Sequence, residues 1–241
     1  MPTAVFISPH LDDAVFSAGG TLARRLRDGV DCRMATVFTR SVPNPTGFAL
    51  ACQRDKGLPD DADYMALRRA EDHTAAAALG LPADRVVHLD LPEAPHRGYG
   101  SAAELFASVR ADDANVVDAV AAALRPLLDA DEVFLPRGLG RHVDHLQVIA
   151  AVDRALAARP AAVRPAVWRW ADTPYALRED PAVATAGEAV DVSATLPAKL
   201  NACAAYTTQV GFQFGDADTL RRRLTAFAER SGGERFVRDP A

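Results

Sequence analysis

Short apolar runs alternate with longer amphipathic stretches along the chain. Ala4–Ser8 (AVFIS), Arg33–Thr39 (RMATVFT), Arg85–Leu89, Glu132–Leu135 (EVFL) and Ala166–Trp170 read as strands, with Glu234–Val237 as a short last one. Near-continuous apolar runs of this length suit strands buried on both faces. Between them lie helical patterns. Ser17–Asp28 accompanies the Gly19-Gly20 pair, and Ala-rich Tyr64–Leu79 ends at Gly80, a residue suited to the position after a helix. Ser101-Ala102-Ala103-Glu104 has capping-box spacing and predicts a further helix start. Val116, Val117, Val120, Leu124, Leu127 and Leu128 recur at helical period, as do His145, Val148, Ile149 and Val152. Lys199–Thr207 and Ala217–Arg230 complete the set. Long loops are expected at Ser41–Asp63, a candidate lid, and at Leu91–Gly100 and Asp172–Gly187.

Strands separated by helices predict an α/β fold, a mostly parallel sheet with helices on both faces. Nothing divides residues 1–241 into two units, so a single domain is expected. Trp168 and Trp170 on the fifth strand are expected to divide between the core and a helix layer. Gly19-Gly20 is no GxGxxG fingerprint and suits close helix–sheet packing instead.

Composition removes several function classes. The net charge of −5 offers no basic footprint for nucleic acid. No run approaches the ~20 apolar residues of a membrane span. Met1-Pro2-Thr3-Ala4 leads straight into a strand and lacks the regions of a signal peptide, so a cytoplasmic location is expected. Cys32, Cys52 and Cys203 are an odd, scattered set without CxxC, which argues against a disulfide framework or a thiolate zinc site. A metal in this chain must be held by His and carboxylate.

Two clusters meet that requirement, Ser8-Pro9-His10-Leu11-Asp12-Asp13 and Gly140-Arg141-His142-Val143-Asp144-His145. Alone, Asp-Asp after a strand reads as a turn or helix cap, and HxxH as surface chemistry. Both clusters, however, follow predicted strands, and in open α/β sheets ligands bind beyond the strands' carboxyl ends. His10, Asp13 and His145 can supply three ligands and leave a position for water, with Asp12 as general base. His142 can ligate as well, or serve as acid or oxyanion partner, and Asp144 can orient one of the imidazoles. Zinc, ferrous iron or another divalent ion suits such a set. Ser8 lacks a nucleophile elbow, and His73 and His88 read as structural or surface groups.

These two motifs resemble the LmbE/PIG-L family of zinc-dependent N-deacetylases. The likeness extends to Arg68-Arg69-Ala70-Glu71-Asp72, Glu93-Ala94-Pro95-His96-Arg97, Asp172-Thr173-Pro174-Tyr175-Ala176, Tyr206-Thr207-Thr208-Gln209 and Gly233-Glu234-Arg235-Phe236. The resemblance implies a Rossmann-like fold. It implies His10, Asp13 and His145 as zinc ligands, Asp12 as general base, His142 as electrostatic or acid partner, and Asp144 tuning His142. It places Arg68 and Arg97 near the substrate. Leu11 and Ala14 depart from the family's commoner His-Pro-Asp-Asp-Glu, and His96 takes an aromatic position. The expected activity is removal of an N-acetyl group from a small amino-sugar-like metabolite. The alternatives are a metal-dependent hydrolase of another amide, carbamate or ester, and a catalytically silent carbohydrate-binding protein.

Overall fold

A computed structural model of the chain describes residues 1–240. Its strands are β1 (Thr3–Ser8), β2 (Asp31–Thr36), β3 (Val86–His88), β4 (Glu132–Pro136), β5 (Ala166–Trp170), β6 (Glu188–Val190) and β7 (Glu234–Arg238), in the order β3-β2-β1-β4-β5-β7-β6. The first five are parallel, and β7 runs antiparallel to both β5 and β6. The chain winds outward from β1 to β3, then returns to β4 on the other side of β1. A crevice therefore opens at the carboxyl ends of β1 and β4, where the winding reverses.

The helices are α1 (Asp13–Arg27), α2 (Gly47–Arg54), α3 (Tyr64–Leu79), α4 (Ala102–Leu105), α5 (Val116–Leu124), α6 (Val143–Ala157), α7 (Pro181–Ala184), α8 (Leu196–Ala204), α9 (Thr207–Phe214) and α10 (Ala217–Ser231). Side-chain alternation along β1 assigns the two layers. Ala4 and Phe6 face α1, α3, α8, α9 and α10, whereas Val5 and Ile7 face α5 and α6. Phe6 stacks on Phe134 of β4 at 4.4 Å between ring centroids. The two tryptophans do not divide as expected. Trp168 and Trp170 lie two apart on one strand, so the period of two turns both to the α1 side.

Several elements follow from local sequence. α3 opens on Asp63, whose carboxylate accepts from the Ala66 N–H, and closes at Gly80 with φ +85°. α1 begins at Asp13, four residues before the periodic pattern suggests, because the Ser8 hydroxyl accepts the Ala14 N–H and the Asp12 carbonyl accepts the Phe16 N–H. The helix foreseen from Ser101 is one turn only, although Ser101 does cap it. The expected loop at 41–63 contains α2, and β6 follows the loop at 172–187. Gly20 lets α1 approach Val192: a Cβ there would lie 2.8 Å from the valine Cβ. No helix among the described residues is long and apolar enough to cross a membrane.

Candidate active site

β1 ends at Ser8, and its chain turns through His10 into α1. Asp12 sits in that turn with φ +154°, a value that L-residues rarely adopt. The Ser8 hydroxyl accepts from the Ala14 N–H and donates to the His10 carbonyl, which holds the turn. The His10 N–H donates to Asp13 Oδ2 at 2.9 Å. β4 ends at Pro136, and the following loop passes Gly138 and Gly140 in left-handed conformations before His142 caps α6. At Gly140 a Cβ would lie 2.5 Å from the Tyr175 ring, so only glycine fits. The His142 Nδ1 accepts from the Asp144 N–H at 3.2 Å.

Two more hydrogen bonds decide which imidazole nitrogens face inward. His10 Nε2 lies 2.8 Å from Asp144 Oδ2, and His145 Nδ1 lies 3.0 Å from Asp172 Oδ1. In each neutral ring the proton belongs on the nitrogen facing the carboxylate, and the other nitrogen keeps its lone pair. Those lone pairs, His10 Nδ1 and His145 Nε2, each lie 3.2 Å from Asp13 Oδ2. His145 Nε2 is buried and has no hydrogen-bond partner. Ligand atoms about 2.1 Å from a tetrahedral ion sit roughly 3.4 Å apart, so this donor set fits a small divalent cation.

Ring nitrogens of His10, His142 and His145 lie within 4.8 Å of one another, which raises a three-histidine alternative. The bond at His142 argues against it. Because its Nδ1 accepts from a backbone amide, the proton of the neutral ring sits on Nε2, where a ligand would need a lone pair. His142 thus presents an N–H donor beside the cation slot.

Charge follows from burial and neighbours. Burial, then the charge of Asp13, pushes Asp12 up to about 7, against the pull of Arg68. Asp13 is held well below the ordinary carboxylate value: burial opposes this, but His145 and His10 outweigh it. His145 rises to about 9 because Asp13 and Asp172 overcome its burial, and His10 rises through Asp13 and Asp144 in the same way. His142 falls to about 3, first from burial and then from His10 beside it, so it is a neutral donor.

A cavity of about 370 Å³ opens beside these groups, and Phe48, Lys56, Tyr64, Phe106, Tyr175 and Phe212 also line it. Of the expected site residues, His10, Asp12, Asp13, His142, Asp144 and Arg68 line it, and His145 lies beneath Asp13. Arg68 donates to Glu93 Oε1 at 2.5 Å and to the Leu11 carbonyl, and lies 3.7 Å from Asp12. Two expectations change. Arg97 does not line the cavity, because its donors are taken by Asp113, Asp144, Gln147 and the Pro92 carbonyl. The Asp144 carboxylate serves His10, Arg97 and the Ala94 N–H; it gives His142 only its backbone amide. The cap position explains this, since it brings the imidazole over the first amides of α6.

Four contributors carry no role predicted from the sequence. Asp172 stands just past β5, after Ala171, so a carboxylate near a strand end was the available signal. Glu93 and Tyr175 sit in quoted motifs without an assigned task. Gln213 donates to Asp12 Oδ2 at 3.1 Å from 201 positions away, and nothing local marks it.

The fold and the cavity define an α/β protein with a cation-ready cluster at the point where its sheet winding reverses. The chain belongs to the PIG-L family, described as GlcNAc-PI de-N-acetylase, whose profile matches residues 5–156. It is 35% identical over 195 residues to 2'-N-acetylparomamine deacetylase of Streptomyces fradiae, covering 80% of this chain but only 61% of that protein. It is 28% identical to 1D-myo-inositol 2-acetamido-2-deoxy-alpha-D-glucopyranoside deacetylase of Rhodococcus jostii (strain RHA1), over 86% of this chain and 81% of that one. The zinc-inhibited form of teicoplanin deacetylase Orf2 superposes with a TM-score of 0.81 at 26% identity, covering 98% of both chains.

Proposed function

We propose that this protein is a metal-dependent hydrolase that removes the N-acetyl group from a small amino-sugar-like metabolite. The observation that carries this reading is the convergence of three lone pairs, from His10, Asp13 and His145, between the acid–base group Asp12 and the N–H donor His142. The names of the related deacetylases support the choice of bond. His10 Nδ1, Asp13 and His145 Nε2 would hold the ion, zinc or another divalent metal. When bound, such an ion supplies a Lewis acid that polarises the acetyl carbonyl and makes water acidic enough to react.

The chain's own residues supply the remainder. Asp12, steadied on one oxygen by Gln213, takes a proton from the attacking water as its oxygen bonds to the acetyl carbon. His142 donates its Nε2–H to the carbonyl oxygen as negative charge gathers there. The C–N bond then breaks, Asp12 returns the proton to the departing nitrogen, and acetate and the free amine result. Arg68 holds Glu93 at the cavity wall and lends positive charge beside Asp12.

The test is acetate release from a panel of N-acetylated amino sugars by chelator-stripped and zinc-restored protein. Activity is expected only in the restored form. Asp12→Asn should lower kcat by roughly 10²–10⁴ with zinc content unchanged. Wild-type turnover by the variant, or undiminished turnover by stripped protein, would refute the reading.

A further inference from the structure

We propose that Asp172 is a positioning residue that sets the tautomer of His145 and clamps the loop bearing His142 at the same time. This rests on the metal reading above. Asp172 is buried just past the end of β5 and divides its two oxygens between two tasks. Oδ1 faces His145 Nδ1 at 3.0 Å. Oδ2 accepts the N–H groups of Arg137, Gly138 and Leu139 at 3.0, 2.9 and 3.0 Å. Those three amides belong to the segment leaving β4, and His142 and His145 follow it directly.

The carboxylate is the only form that satisfies both sides. On the loop side three donors need an acceptor, and on the ring side an acceptor is what keeps the proton on Nδ1 and leaves Nε2 its lone pair. An asparagine offers one acceptor and one donor, so it can serve only one side. Turning its NH2 toward the loop would leave three buried N–H groups facing a donor. Turning it toward the ring would mismatch only one bond, so that orientation wins. The amide then donates to Nδ1, the imidazole proton moves to Nε2, and the lone pair aimed at Asp13 is lost.

Asp172→Asn is therefore expected to keep the fold and the loop while lowering zinc affinity about 10–100-fold. Affinity is read by chelator competition, with the visible bands of the cobalt-substituted protein reporting the missing nitrogen ligand. The thermal transition of the metal-stripped variant should stay close to that of the wild type, whereas Asp172→Ala loses the loop clamp and should melt earlier. Wild-type zinc affinity in a folded Asp172→Asn protein overturns the proposal. If that variant does not fold, the ring ¹⁵N shifts of His145 in zinc-loaded wild-type protein decide. A proton on Nδ1 supports the assignment, and a proton on Nε2 overturns it. A wild-type chain that takes up no zinc sinks the metal reading itself, which separates the two failures.

Discussion

At the scale of the residue, the cation slot is a contest between protons and metal for the same lone pairs. His10 is raised by Asp13 and Asp144, and His145 is raised to about 9, so the His145 ring carries a second proton at neutral pH when no cation competes. Binding must displace that proton, which changes apparent affinity about tenfold per pH unit. Zinc affinity is therefore expected to climb from pH 6 toward 9 and to level off above the folded pKa of His145. Chelator competition across that range checks it, and a flat profile between pH 6 and 8 would exclude the competition. His10, Asp12, Asp13, His142 and His145 were legible as chemistry because they cluster within two short motifs after apolar runs. Asp172 and Gln213 were not assigned, since single polar residues are common and their contacts span 27 and 201 positions.

At the scale of the element, α1 carries the heaviest constraints. It brings Asp12 and Asp13 to the cavity and is pinned near its middle, where Glu234 accepts the N–H groups of Gly20 and Thr21 and pairs with buried Lys199 at 2.6 Å. The two glycines there make a matched pair for experiment. At Gly20 a methyl group would lie 2.8–2.9 Å from Val192 side-chain atoms, while at Gly19 the nearest atom is 3.4 Å away. Gly20→Ala should lose about 1–3 kcal/mol of stability through overpacking. Gly19→Ala should be tolerated, because alanine favours a helix by up to ~1 kcal/mol over glycine. Urea unfolding of both variants reads the contrast; equal stabilities would show that the packing gives way. α3 was readable to its last residue because period, cap and terminal glycine agree. α2 and β6 were not, being too short to establish a period, and β6 exists because β7 offers it an edge.

At the scale of the whole molecule, the last strand belongs to the interior of the design. β7 lies between β5 and β6, places Phe236 in the core and supplies Glu234 to α1. Deleting residues 234–240 removes a buried phenylalanine worth about 1.5–3 kcal/mol. It also strands buried Lys199, at a cost of about 3–5 kcal/mol. Together these approach the roughly 5–15 kcal/mol that holds an ordinary domain folded. The truncated chain should therefore lack a cooperative thermal transition and its near-ultraviolet aromatic signal. A truncation that melts like the full chain would show β7 to be dispensable.

The sequence by itself determined the alternation of strand and helix, the parallel centre of the sheet, and the shared edge at which both His/Asp motifs emerge. These follow from periodicity and from strand ends, which are local properties. Tertiary structure alone decided how each polar group is used. It gave the Asp144 carboxylate to His10, withdrew Arg97 into a buried network, turned both tryptophans to one face and set Asp172 on His145. Hydrogen-bond direction depends on which distant partner packing brings within about 3 Å, and spacing along the chain carries no record of that.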